Sequence, residues 1–252
     1  MCRLYPSAVV PQQDPGWDRS ADLETIKATY AGYDAAGRGR LWDERNPGYA
    51  RLVADLRGAL LAALSSSLPH GVTPRILDLG CGSGELIEDA RGIASPMEWI
   101  GVDLRPEAIA AATAAYPEAT FIVASADEVP LPTASCDIVI ARVLFSSLPS
   151  ASLEGAVAKE IGRLLKPHGW LVWLDIRYSN PTNHAVHGVS PRRLRSLFAS
   201  WYRDVRTVGL LPPIARRLGF SAPVLYRSLS TIPAFRSHVV GRLRRPGPPH
   251  AS

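Results

Sequence analysis

The sequence predicts an α/β fold: a mostly parallel sheet with helices on both faces. Three observations predict it. From residue 75 onward, short β-rich runs alternate with helical stretches, the pattern of parallel strands joined by crossover helices. The first run ends in a glycine-rich turn, ILDLGCGSGELI over residues 76–87, where a parallel strand hands over to its helix. The next run, WIGVD, ends in an acid, Asp103, 25 residues after Asp78.

Taken in order, residues 1–20 are proline-rich and polar, without periodicity, and read as a loose arm. A helix is expected over Ala21–Tyr33, with Gly37 and Gly39 breaking the pattern. Asn46-Pro47 opens a second helix, Asn as the N-cap and Pro in the first turn. Leu52, Val53, Leu56, Leu60, Ala63 and Leu64 give it one apolar face. Residues 1–70 are therefore read as an arm and helical lid, and 71–252 as the main domain. Strands are expected at Arg75–Leu79, Trp99–Leu104, Thr120–Ser125, Cys136–Arg142 and Gly169–Ile176. Helices are expected at Gly84–Gly92, Pro106–Tyr116 and Ala151–Leu165. Lys166-Pro167-His168-Gly169 reads as a helix stop and turn. Ser190-Pro191 starts another helix, and Asp204–Leu210 and Ser237–Leu243 are the sixth and seventh strands. Between them a basic helical insertion is expected at about 212–235.

Composition narrows the function classes. With 46% of residues apolar the chain is not disordered, and no apolar run reaches the length of a membrane span. Pro6 and Pro11 bracket only four residues, too few for a signal-peptide core. Cys2, Cys81 and Cys136 form neither a metal-ligand spacing nor a disulfide framework, so a cytoplasmic protein with free thiols is expected. Charge is unevenly spread. Residues 1–176 carry 15 Lys and Arg against 22 acids, whereas residues 177–252 carry 13 Arg and one acid, Asp204. Such a split suits an anionic partner: an acidic substrate, a membrane surface, nucleic acid or the protein's own acidic body.

The glycine turn is the most informative segment. At the carboxyl edge of a parallel sheet, glycines let a ligand approach the backbone closely. The dinucleotide fingerprint requires a third glycine where this chain has Glu85, a poor neighbour for pyrophosphate. A phosphate-binding P-loop is excluded because no Gly-Lys-Ser/Thr follows. The pattern Gly80-x-Gly82-x-Gly84, with Asp78 upstream, suits a nucleoside without phosphates whose other end carries an amine. Asp103 is placed to accept hydrogen bonds from both ribose hydroxyls, and Leu104 to supply an apolar face for the base. An acid there also serves as a helix N-cap, and Asp103 stands just before the helix opening at Pro106.

ILDLGCGSG, WIGVD, FIVASADEVPLPTASCDIVIAR and LLKPHGWLVWLD together resemble the ordered motifs of class I S-adenosylmethionine-dependent methyltransferases, over roughly residues 72–176. The resemblance implies a seven-stranded, Rossmann-like sheet whose last strand is antiparallel, with S-adenosylmethionine as cofactor. By position it implies that Asp78, Gly80, Cys81, Gly82 and Gly84 form the cofactor turn, that Asp103 holds the ribose diol and that Leu104 packs on adenine. Where the family often has Asp-Ala after the third strand, this chain has Ser125-Ala126, followed by Asp127. Arg142 matches a position whose main chain faces the methionine amine, and its side chain is free to enter the substrate cleft. The family often folds an N-terminal segment over the cofactor, which implicates Tyr30 and places Arg40 by the methionine carboxylate.

The acceptor is expected to be a small molecule, and an anionic one fits the basic half. Methylating a hydroxyl requires removal of a proton, and the segment after the fifth strand holds the candidate bases His184 and His187. Arg177, Tyr178 and Asn180 of that segment and Arg216 of the insertion are candidate substrate contacts. Two histidines three apart on a loop do not make a metal site. The insertion is also suited to lying on an anionic membrane. RNA methylation is the alternative suggested by the basic segment. Against it, the residues after the fourth strand, Ala141-Arg142-Val143-Leu144, are not a base-amine tetrapeptide of the Asn-Pro-Pro-Tyr kind. A non-catalytic protein that binds S-adenosylmethionine is the third reading.

Overall fold

The computed structural model describes residues 14, 16–35, 45–93, 96–179, 183, 185–218 and 223–247. Seven strands form one sheet in the order β3-β2-β1-β4-β5-β7-β6. They are β1 (Arg75–Leu79), β2 (Glu98–Asp103), β3 (Thr120–Val123), β4 (Cys136–Arg142), β5 (Leu165–Ile176), β6 (Tyr202–Leu210) and β7 (Arg236–Arg244). β7 runs antiparallel to both neighbours, β5 and β6, while the pairings from β3 through β5 are parallel. The strand order reverses between β1 and β4, where the glycine turn leaves the sheet, so a crevice opens at that carboxyl edge.

The central strands are buried on both faces, which explains their near-continuous apolar text. Leu77, Leu79, Ile100 and Val102 point into one core layer, under α5 (Ala151–Leu164) and α6 (Pro191–Leu197). Ile76, Trp99, Ile138 and Ile140 point into the other, under α2 (Pro47–Ser65) and α3 (Glu85–Ala90). α4 (Pro106–Ala115) covers β2 and β3. Asn46 caps α2 as expected, its side chain accepting from Tyr49 N at 3.0 Å. Ser190 caps α6 by accepting from the Arg193 amide. α1 (Arg19–Ala35) lies across the carboxyl edge, with Ile26 packed on the first core layer.

One expectation changes. The turn read at Lys166–Gly169 lies inside β5, which begins at Leu165 opposite Cys136 and shifts register before Ile138 pairs with Trp170. Lys166 Nζ grips both oxygens of Asp137 at 2.8 and 2.9 Å, and His168 takes a positive φ of 64°, so the turn is absorbed as a bulge. The basic insertion forms two short helices, α7 (Pro212–Leu218) and α8 (Pro223–Ser230). They pack on the first half of α2 through Tyr49, Leu52, Leu210, Ala215 and Tyr226, in a third cluster.

Candidate active site

At the carboxyl edge of β1, β2 and β4 lies a cavity of about 300 Å³, and a second, more polar hollow adjoins it over the glycine turn. Gly80, Asp103, Leu104, Ser125, Ala126, Arg142 and Tyr30 all line the first. Cys81 and Gly82 line the second, which shares Tyr30, Gly80, Asp103 and Arg142. The glycine turn itself is closed by backbone bonds: the Gly80 and Cys81 amides both donate to the Val102 carbonyl, at 2.7 and 2.9 Å. Gly80 and Gly82 have φ of 81° and 57°, which side chains rarely adopt. Gly84 also has positive φ but lines neither hollow; a Cβ there would meet the Tyr116 ring at 3.0 Å. Its smallness serves packing. The Cys81 thiol is buried and its pKa is pushed up by desolvation, so it is a packing group.

Asp103 does not cap α4. The N-cap is Arg105, which makes no side-chain cap bond. The Asp103 carboxylate instead receives Gly82 N on Oδ2 at 2.9 Å, and Arg105 N and Nε on Oδ1 at 3.0 and 3.1 Å. Asp78 is wholly buried beneath the turn, and neither carboxylate oxygen has a hydrogen-bond partner. Burial, with help from Asp103 and Glu85, raises its pKa to about 6 against the opposing charge of Arg142. A buried carboxylate with no donor on either oxygen is able to take a cationic or hydrogen-bonding partner at this strand end. The Arg142 guanidinium stands 3.8 Å from Glu85 Oε2 and borders both hollows.

The roof comes from α1. Ile26, Tyr30 and Tyr33, spaced four and three apart, share one helix face and line the cavity. Tyr30 and Tyr33 meet edge to face at 5.9 Å. Asn183 Nδ2 donates to the Tyr33 hydroxyl at 2.7 Å, tying the roof to the segment after β5. The deep wall is apolar: Leu144 and Leu148 after β4, Leu153 and Val157 of α5, and Ile176. Ser125 donates to Asp127, which is bound in turn by Arg19 at 2.5 Å.

The other candidates lie elsewhere. Arg40, Asn180 and His184 fall outside the described residues. His187 does not line the cavity: its Nε2 is hydrogen-bonded to the Leu148 carbonyl and its amide donates to Ser146 O at 2.9 Å. Its ring therefore holds the post-β4 loop. Arg177 donates to the Pro233 carbonyl at 2.6 Å and Tyr178 to the Ala234 carbonyl at 3.2 Å, both away from the cavity wall. Arg216 stacks on Tyr49 at 4.6 Å, against α2. Sequence reasoning missed Arg105, whose only signal was a cationic side chain at an N-cap position, where Ser, Thr, Asp or Asn is usual. Ile26 was missed as well; its spacing of four and seven residues from Tyr30 and Tyr33 on one helix face is the signal that could have found it.

Comparison with known proteins agrees with this architecture. Residues 77–173 match the model of a family described as a methyltransferase domain. A methyltransferase-like protein of Schizosaccharomyces pombe is 33% identical over 155 residues, 60% of this chain and 52% of that one. The malonyl-[acyl-carrier protein] O-methyltransferase of Marinomonas is 29% identical over 128 residues, 48% and 44% of the two chains. The chain thus spans about half the length of the curated relatives it matches. Among solved structures, a SAM-dependent methyltransferase from Methanosarcina mazei superposes with a TM-score of 0.55 at 20% identity, covering 73% of this chain and 97% of that one. The 1,6-didemethyltoxoflavin-N1-methyltransferase of Burkholderia thailandensis gives 0.61 at 15% identity, covering 92% of each. The glycine turn, the acid Asp103 at the end of β2 and the unpartnered Asp78 fit the cofactor that the fold and the domain imply, S-adenosylmethionine. The chain carries a match to a methyltransferase domain over residues 77–173, on the Rossmann-like fold it shares with S-adenosylmethionine-dependent methyltransferases.

Proposed function

We propose that the chain transfers a methyl group from S-adenosylmethionine to an oxygen of a small-molecule acceptor. The observation that carries this reading is the single cavity running from the ribose-facing Asp103 and Leu104 to an apolar wall at Leu144 and Leu148, roofed by Tyr30 and Tyr33. The bound cofactor supplies an already activated methyl group, so the protein's part is proximity and orientation. Asp103 and the glycine turn hold the nucleoside end, and the Arg142 guanidinium offers a cationic contact where the two hollows meet. Leu144, Leu148 and the two tyrosines exclude water from the acceptor side. The Tyr33 hydroxyl, with Asn183 as its donor, can hydrogen-bond and orient the acceptor's oxygen. The oxygen assignment is supported by the Marinomonas relative, whose name specifies O-methylation. Methyl-labelled S-adenosylmethionine incubated with a metabolite extract tests the proposal. A new labelled small molecule made by the wild type and not by Asp103→Ala supports it; label entering only RNA or protein refutes it.

The acceptor's surroundings admit a second proposal. α8 and the turn after it leave Val224, Leu225 and Ile232 exposed, with the exposed Arg227 on the same helix, a composition suited to an anionic membrane surface that presents a lipid-linked acceptor. Among the described residues no helix is long and apolar enough to cross a membrane. Salt-sensitive binding to anionic liposomes, lost on replacing Val224 and Leu225 with Asn, supports peripheral contact. Absence of binding at low salt dismisses it.

A further inference from the structure

We propose that Arg105 is a positioning residue that competes with the vicinal diol of the nucleoside for Asp103, and so sets the affinity of the cofactor site. The inference rests on the reading that Asp103 holds the ribose. An ionised carboxylate offers about four acceptor positions. Three are taken in this structure: Gly82 N on Oδ2, and Arg105 N and Nε on Oδ1. A ribose diol brings two more donors, one more than the carboxylate accommodates.

One existing bond must therefore be given up. The Gly82 and Arg105 amides are main-chain groups fixed by the glycine turn and by the start of α4. Only the Arg105 Nε can leave by side-chain rotation. The guanidinium is well placed to resist, being only 11% exposed. Its Cζ lies 4.4 Å from the centroid of the Tyr30 ring, and one terminal nitrogen lies 3.8 Å from where a Cβ on Gly82 would be. It thus sits over the glycine turn, between the ribose acid and the roof helix, and borders both hollows. No capping bond of α4 depends on this side chain. Its role is accordingly to occupy the acid while the diol is absent, keeping Asp103 turned toward the site.

Calorimetric titration with S-adenosylhomocysteine and with its 2′,3′-dideoxy analogue tests the proposal, using the wild type, Arg105→Ser and Arg105→Gln. Melting curves of the three proteins establish that each is folded, the Gln variant keeping most of the side chain should Ser fail. The expected result is that either substitution tightens S-adenosylhomocysteine about tenfold, the size of one hydrogen bond to a charged group. Affinity for the dideoxy analogue should be unchanged, because that ligand asks nothing of Asp103. Equal or weaker binding of S-adenosylhomocysteine by the variants overturns the proposal. An equal gain for both ligands overturns it too, since Arg105 would then merely fill space. Failure of every protein, wild type included, to bind either ligand would instead strike the cofactor assignment.

Discussion

The buried Asp175 carboxylate at the end of β5 accepts the Phe145 amide at 2.9 Å. The same Oδ2 takes Ser146 N at 3.2 Å, and Oδ1 takes Ile176 N at 2.7 Å. These bonds anchor the loop that carries Leu144 and Leu148 into the cavity, a loop that also contains the positive-φ Val143. Asp175→Asn keeps the size of the side chain but turns one acceptor into a donor, stranding at least one buried N–H. We expect a loss of about 1–3 kcal/mol in denaturant unfolding. Weaker S-adenosylhomocysteine binding should accompany it, because Leu144 lies against Gly80. An unchanged unfolding midpoint would show that the loop is held by packing alone.

Asp78 has the opposite character. Burial raises it, like Asp175, to about 6, but no donor meets either of its oxygens. A carboxyl whose folded pKa exceeds its ordinary value of 3.8 binds protons more tightly in the native state, so its ionisation erodes stability as pH rises from about 4 through 6. Asp78→Asn should therefore stabilise the chain by about 3 kcal/mol at pH 8 and by almost nothing below pH 4. On the reading that Asp78 faces the cofactor's amine, the substitution should at the same time weaken cofactor binding. Thermal unfolding against pH, paired with calorimetry, checks both halves. Destabilisation at pH 8 would mean that the carboxylate is satisfied.

Two glycines of the turn should separate binding from folding. At Gly82 a Cβ meets nothing nearer than an Arg105 terminal nitrogen at 3.8 Å, so the main cost of Gly82→Val to folding is the backbone cost of its φ, about 1–2 kcal/mol. At Gly84 a Cβ runs into the Tyr116 and Phe121 rings at 3.0 and 3.2 Å, in addition to a φ of 81°. Gly82→Val is expected to abolish S-adenosylhomocysteine binding in a folded protein. Gly84→Ala is expected to destabilise the fold more while sparing affinity in whatever remains native. Melting temperatures and binding constants that move together in both variants would contradict this division.

The strands were legible because each central strand is buried on both faces and bounded by turn chemistry; β1 and β4 begin and end where the apolar runs do. Asp103, Leu104, Gly80 and Gly82 could be placed at the cavity from the sequence because strand ends and tight turns are readable there, whereas Gly84, grouped with them, packs against Tyr116. The arginines were not. Thirteen of them after residue 176 suggested an anionic partner, yet many bind the chain's own carbonyls. Arg203 binds Phe198 O and Ala199 O, Arg236 binds Ser230 O and Thr231 O, and Arg242 binds Ser66 O. A guanidinium satisfied by a neutral carbonyl leaves no trace in a charge count, because its partner is main chain and can be any residue. The same holds for His187, whose partner is a carbonyl 39 residues away.

The roof helix α1 is latched at its start by Arg19, which binds Asp127 at 2.5 Å and Glu128 at 3.1 Å. A second latch is Asp22, hydrogen-bonded to Ser150 and to Trp17 Nε1. Burial pushes the Asp127 carboxyl up, but hydrogen bonds from Arg19 and Ser125, with the charge of Arg19, outweigh it, so its pKa lies below the ordinary value. Its contribution is therefore fully present above about pH 4 and is lost as pH falls through the depressed folded pKa. Because Arg19 is partly exposed, the pair is worth no more than about 1 kcal/mol to global stability. Arg19→Ala should accordingly leave the melting temperature nearly unchanged while speeding amide exchange across residues 19–35 several-fold at pH 7. In wild type the same acceleration should follow on acidification below pH 4. Exchange over α1 that is indifferent to both changes would show that Asp22 and the Tyr33–Asn183 bond hold the roof without help from Arg19.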